Sequence, residues 1–184
     1  MSSSRSDHLA DGRSEEGVTV LFTGLPSAGK TTIARALEKR LLDEGRKVEV
    51  LDGDVVRTHL CKGLGFSRED RDENIRRVGF VADMLSRNGV VVLCSVIAPY
   101  RAVREEVRAF HTGRFLEVYV STPVDVCAER DVKGLYARQR AGEISGLTGV
   151  DDPYEAPLDP EVVVPAHTQS VEESVEAVWQ ALYA

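Results

Sequence analysis

Cysteine is scarce: Cys61, Cys94 and Cys127 are the only three in 184 residues, far apart and with no CxxC pair. That argues against a disulfide framework or a cysteine zinc site and suits a reducing, cytoplasmic compartment. Histidine is thin as well, with His8, His59, His111 and His167 scattered and no metal cluster in view. No apolar run approaches the roughly 18 residues that a membrane span needs. The first 16 residues are Ser-rich and charged and lack the apolar segment of a secretory signal, so they read as a disordered tail. Positive charge is in deficit, with 23 Lys and Arg against 30 Asp and Glu, a net charge of −7. Broad binding to nucleic acid or to an anionic membrane is therefore not expected. Against this acidic background, the placement of arginines becomes informative.

What is present reads as one α/β domain over residues 17–184. Val18–Thr23 is a short β-branched and apolar run ending at a glycine, the pattern of a buried parallel strand. A helix over 31–44 follows, with Ile33, Leu37 and Leu41 on one face and Gly45 as its stop. Further strands are expected at 48–51, 90–95, 115–120 and 161–164. Helices are expected near 70–88 and 100–110, and after Thr122-Pro123, where Thr122 would be the cap and Pro123 the first helical residue. Ser170-Val-Glu-Glu173 is a capping box that opens a last helix with Val171, Val175, Val178 and Leu182 inward. Alternation of strands and helices implies a parallel sheet covered on both faces. Residues 132–160, with weak periodicity, four glycines and three prolines, read as an irregular functional lid.

Gly24-Leu25-Pro26-Ser27-Ala28-Gly29-Lys30-Thr31 matches G-x-x-x-x-G-K-[ST] in full, between an expected strand and an expected helix. The glycines let backbone N–H groups turn inward toward phosphate oxygens, and the helix start adds its positive dipole end. Lys30 is positioned for the β- and γ-phosphates, the Thr31 hydroxyl for Mg²⁺, and Thr32 extends the nucleotide contact. The P-loop NTPase-type fold and a nucleoside triphosphate with Mg²⁺ follow. The motif alone does not separate kinases, ATPases and GTPases.

The strand at 90–95 has no acid at its tip, where a switch-type NTPase often has its Mg²⁺-organising Asp, and no Asn-Lys-x-Asp motif occurs. Asp131-Val-Lys-Gly134 fits DxxG but follows a helix, and is set aside. The acids come instead after the second strand, in Leu51-Asp-Gly-Asp-Val-Val-Arg57. The carboxyl ends of parallel strands share one crevice, so Asp52, Asp54 and Arg57 are expected near the phosphates. One of these acids would organise Mg²⁺ or its waters and another would accept the proton of an attacking hydroxyl, with Asp52 and Asp54 the candidates.

That stretch, together with Gly63–Arg77, Ile97-Ala-Pro-Tyr-Arg101, Asp131–Tyr136 and Thr148–Pro157, resembles adenylylsulfate (APS) kinases over about residues 17–183. The resemblance implies a P-loop kinase, usually homodimeric, that phosphorylates the 3′-hydroxyl of adenosine 5′-phosphosulfate at the expense of ATP. It implies Phe66 as a stacking face for the acceptor adenine, and Arg57, Arg71, Asn74 and Arg76 as acceptor contacts; Arg71 and Asn74 are one helical turn apart and can face one site, whereas Arg76 is offset. Ile97, Ala98 and Arg101 join them. Arg130 is implied near the ATP adenine, and Lys133 near the phosphates or the acceptor. Two departures stand out. Ala98 replaces a serine found in many members, which closes a phosphoserine route and leaves direct in-line transfer. Leu147 replaces a frequent phenylalanine and is expected to weaken acceptor affinity or substrate inhibition. A P-loop kinase for another small acceptor, or a catalytically silent nucleotide-binding module, are the alternatives.

Overall fold

Alternation along β1 (Val18–Thr23) sends Val20 and Phe22 to one side of a sheet and Leu21 to the other, all of them buried. The computed structural model describes residues 16–184, so the expected N-terminal tail lies outside the described residues except for Glu16. β1 is the middle strand. It pairs in parallel with β3 (Val91–Ser95) and β4 (Arg114–Val120). β2 (Val48–Asp52) flanks β3 and β5 (Val162–Val164) flanks β4, giving the all-parallel order β2-β3-β1-β4-β5. α1 (Lys30–Asp43) and α7 (Val171–Leu182) cover the face of Val20 and Phe22 through Leu37, Leu41, Val175 and Val178. α3 (Arg68–Ser86) and α4 (Arg101–Phe110) cover the other face through Val78, Ala82, Val103 and Val107. The α/β P-loop architecture expected from the sequence is thereby present.

Several boundaries differ from the sequence reading for local reasons. A short helix, α2 (Gly53–Thr58), directly follows β2 because the Asp52 carboxylate accepts the Asp54 N–H at 3.0 Å and caps it. α3 starts two residues early, at Arg68, because the Ser67 hydroxyl accepts the Asp70 N–H. α5 (Val124–Arg130) has Pro123 at its cap position instead of Thr122. The Thr122 hydroxyl is drawn away and donates to the Ala28 carbonyl at 2.8 Å. At the C-terminus the capping box of Ser170 and Glu173 forms as expected, although Val171 is only partly buried.

Residues 132–160 are not irregular throughout. α6 (Leu135–Arg140) forms there, and the Asp131 carboxylate accepts from the Tyr136 and Ala137 N–H groups, so the Asp131–Gly134 turn is a helix cap. Among the described residues no helix is long and apolar enough to cross a membrane.

Arg104, 2% exposed, ties distant segments together. Its Nε donates to Glu117 Oε1 on β4 at 2.7 Å, Nη1 to the Ala98 carbonyl at 2.7 Å, and Nη2 to the Glu155 carbonyl at 2.6 Å. Removing a buried partner leaves the other charge uncompensated. Arg104→Leu is therefore expected to lower stability by about 3–5 kcal/mol, read from chemical denaturation of the purified chain.

Candidate active site

The phosphate cradle begins where β1 ends. Gly24 has φ 152°, and a Cβ there would lie 2.6 Å from the Val120 carbonyl oxygen, so the chain passes too close to β4 for any side chain. Gly29, at φ 113°, leads into α1, which no side chain caps. Ile33 is the first residue whose N–H finds a helical carbonyl, that of Gly29, which leaves the amides of Lys30, Thr31 and Thr32 directed out of the helix end.

The loop's carbonyls are occupied by protein donors. Tyr136 Oη donates to Pro26, and Thr122 and Arg130 both donate to Ala28. Lys30 Nζ donates to Gly24 at 2.9 Å and to Leu25 at 2.7 Å. Carbonyls engaged on one side leave the amides for an anion on the other. Lys30 is 8% exposed, and burial lowers its pKa from 10.5 to about 8.

The acid expected beside the cradle is there. Asp52 and Ser95 are register partners on β2 and β3. The Thr31 hydroxyl, in the first turn of α1, donates to Asp52 Oδ2 at 3.2 Å and lies 3.0 Å from Ser95 Oγ. Asp54, exposed in the first turn of α2, forms an ion pair with Lys133. One turn further along α2, the Arg57 guanidinium lies 4.5 Å from the centroid of the Phe66 ring. Phe66 is 70% exposed, an aromatic face left open where a core residue would be covered.

Arg71 and Asn74 share the buried face of α3, but Arg71 already makes four hydrogen bonds within the protein. It donates to Phe66 O at 2.8 Å, Thr148 Oγ1 at 2.5 Å, Asp152 Oδ2 at 3.1 Å and Gly146 O at 2.5 Å. It clasps the 146–152 loop to the Phe66 turn. Asn74 Oδ1 is buried without a partner among the described residues.

Other expected contacts fall elsewhere. Arg76 is not brought to the cleft: it points outward on α3 and makes a two-point pair with Glu106 of α4. Ala98 packs its methyl into the core on the α3–α4 side, at φ 45°, while its carbonyl accepts from Thr23 and Arg104. The Ile97 carbonyl accepts from Thr23 Oγ1 and from the Gly24 N–H. Arg101 holds the far part of the lid, donating to the Ala156 carbonyl while its N–H meets Glu155. Leu147, 7% exposed, sits in the core cluster with residues such as Tyr136 and Leu25. Arg130 bridges Ala28 to the Ala166 carbonyl at the outer side of the cradle.

Sequence reading missed Ser95, Thr23, Tyr100, Asp152 and Tyr154. Tyr100 donates to Asp152 Oδ2 at 2.9 Å, and Tyr154 meets Thr23 Oγ1 at 2.9 Å, so the loop is docked through both. Tyr100, Asp152 and Tyr154 lie inside quoted motifs, which was the available signal. Thr23 and Ser95 carried none beyond being polar at the ends of apolar strands. A cavity of about 530 Å³ opens between Leu25 and residues 149–154.

A model of the adenylylsulphate kinase family matches residues 16–165. The chain belongs to that family. The adenylylsulphate kinase assignment is reinforced by a probable adenylyl-sulfate kinase of Synechocystis sp. strain PCC 6803, 61% identical over 91% of this chain and 94% of the relative. The adenylyl-sulfate kinase of Rippkaea orientalis is 60% identical over 91% of this chain and 92% of its own. Among solved structures, the Mycobacterium tuberculosis APS kinase in complex with AMPPNP and APS superposes with a TM-score of 0.87 at 42% identity, covering 92% of this chain and 99% of that one. A gluconokinase from Sinorhizobium meliloti, at 20% identity and a TM-score of 0.53, shares the fold alone. The protein is thus an ATP-using kinase of the adenylylsulphate kinase family.

The Lys30 shift has a definite sign. Between about pH 8 and 10.5 the unfolded chain holds a proton that the folded one has lost, so burying this lysine costs less stability as pH rises through that window. A bound triphosphate favours the ammonium form instead. Nucleotide affinity is therefore expected to fall as pH climbs past 8. Calorimetry in buffers of different ionisation enthalpy should show close to one more proton taken up on binding at pH 9 than at pH 7. Equal uptake at both values would refute the role of Lys30 as a buried, phosphate-binding cation.

Proposed function

We propose that this cleft transfers the γ-phosphate of MgATP to the 3′-hydroxyl of adenosine 5′-phosphosulfate, giving 3′-phosphoadenosine 5′-phosphosulfate and ADP. One observation carries the site assignment: α2 joins the two halves of the chemistry. Its cap, Asp52, touches Thr31 of the cradle, and Arg57 in its last turn covers one face of Phe66. A helix of six residues spans about 9 Å, which suits a sugar held between a terminal phosphate and a stacked base.

In this reading Gly24, Gly29, the amides of Lys30 to Thr32, and the Lys30 ammonium hold the triphosphate, with Arg130 beside the ATP adenine. The hydroxyl of Thr31 and the carboxylate of Asp52 are hard oxygen donors, suited to magnesium, and they would hold it. Mg²⁺, when bound with ATP, neutralises charge on the β- and γ-phosphates. Phe66 stacks the acceptor adenine, and Arg57 and Lys133 face its anionic groups. Lys133 can pass from Asp54 to a phosphate oxygen, which frees Asp54 to take the 3′-hydroxyl proton. Positioning and charge neutralisation supply most of the rate, with no phosphoenzyme, because Ala98 offers no hydroxyl.

The same reading includes a homodimer and a cytoplasmic setting. Phe80 is exposed on α3, and the ring of Phe110 on α4 lies next to neighbouring Gly79, giving an apolar patch suited to a second copy. The three thiols are free and buried, consistent with a reducing environment.

Labelled ATP with adenosine 5′-phosphosulfate, and identification of the 3′-phosphorylated product, tests the reaction directly. Asp54→Ala is expected to lower kcat at least a hundredfold while ATP affinity stays within a few-fold; near-normal turnover would refute its role. Phe66→Ala is expected to raise the acceptor KM by about 10- to 100-fold, the scale of one lost base stack, without altering that of ATP. An unchanged acceptor KM would move the acceptor adenine to another surface.

A further inference from the structure

The strand end where many P-loop proteins have an acid carries a serine here, and that serine is not idle. Ser95 closes β3, is buried, and lies in register with Phe22 of β1 and Asp52 of β2. Among the described residues its hydroxyl has one side-chain neighbour within hydrogen-bond distance, Thr31 Oγ1 at 3.0 Å. Proton bookkeeping then fixes the direction of both bonds. The Asp52 carboxylate only accepts, so the single Thr31 proton goes to Asp52 Oδ2. Thr31 has no second proton to give, so Ser95 must be the donor in the other bond. The chain runs from the Ser95 hydroxyl to Thr31 Oγ1 and on to Asp52. A threonine hydroxyl has two lone pairs; Ser95 uses one and the other stays open.

We propose that Ser95 is a positioning residue for the metal corner: by donating to Thr31 it locks that hydroxyl's rotation, holds its proton on Asp52 and leaves one lone pair free for the magnesium ion that accompanies ATP. This rests on the reading of Thr31 and Asp52 as the metal-holding pair. Ser95 does not touch the metal itself. It divides the work that one acid does elsewhere, with charge from Asp52 on β2 and hydroxyl orientation from β3. Partners that orient a ligand commonly tune metal affinity severalfold or more.

The test titrates Mg²⁺ into the full-length protein with a fixed concentration of a non-hydrolysable ATP analogue, following binding by calorimetry, and repeats the nucleotide titration in EDTA. Ser95→Ala is expected to raise the half-saturating Mg²⁺ roughly three- to tenfold, the worth of one oriented hydrogen bond, while EDTA affinity stays within twofold. Ser95→Thr, which keeps the donor, is expected to restore the wild-type value within twofold. An unchanged Mg²⁺ requirement in Ser95→Ala overturns the proposal. So does an equal loss with and without metal, which would mark Ser95 as packing only. If Ser95→Ala does not fold, Ser95→Cys, nearly equal in shape but a weak donor, is judged by the same two titrations. Wild-type binding that ignores Mg²⁺ would remove the metal corner and this proposal together. A Mg²⁺-dependent wild type with an unmoved Ser95→Ala removes the serine's role alone.

Discussion

The in-register pairing of Phe22, Ser95 and Asp52 across three parallel strands sets the level at which everything chemical is built. β1 hands over to the phosphate loop just past that level, β2 to α2, and β3 to the Val96–Tyr100 turn. The register is not free to move. A slip of one residue would send Val20 and Phe22 to the face now occupied by Leu21, inverting both halves of the core. Apolar packing thus fixes the distance between Thr31 and Asp52, although neither residue belongs to the core. The functional geometry follows from burying valines.

Around this level, arginines act mainly as fasteners. Arg71, Arg101, Arg104 and Arg130 all donate to backbone carbonyls, of residues 66 and 146, 156, 98 and 155, and 28 and 166. A guanidinium's planar fork suits this work, since several donors of fixed geometry can satisfy chain that forms no sheet or helix. Loop 146–156 has little secondary structure, yet its carbonyls at Gly146, Glu155 and Ala156 all accept from buried or half-buried arginines. Arg57 does the same at the Gly65 carbonyl and, in addition, lays its flat face on Phe66.

Much of this was readable from the sequence because the signals were strong and local. The phosphate loop is a full motif at a strand-to-helix junction, the strands are continuous apolar runs, and α7 announces itself with a capping box that forms. α2 was missed because six residues carry no usable periodicity, and its start depends on an aspartate cap that composition does not reveal. Thr122 shows the opposite failure, a good local cap signal overridden by the nearby Ala28 carbonyl. Family likeness grouped Arg71, Asn74 and Arg76 by motif, but helical spacing already set Arg76 apart, and in the fold Arg71 and Asn74 turn inward while Arg76 turns to Glu106. Leu147 illustrates the same limit, because burial is a property of the folded loop and does not show in a short Gly-rich stretch.

The Arg71 clasp has a bearing on how the molecule comes into being. Its acceptors at Gly146, Thr148 and Asp152 lie more than seventy residues downstream of the guanidinium. A chain growing from its N-terminus therefore displays the phosphate loop, α2 and the Phe66 turn well before the segment that steadies that turn has emerged. Until residue 152 is available, a buried cation on α3 has no anion to meet. Both halves of the cleft draw on late chain: the acceptor side on Gly146 to Asp152, and the phosphate loop on Arg130, Tyr136 and, through Arg130, Ala166.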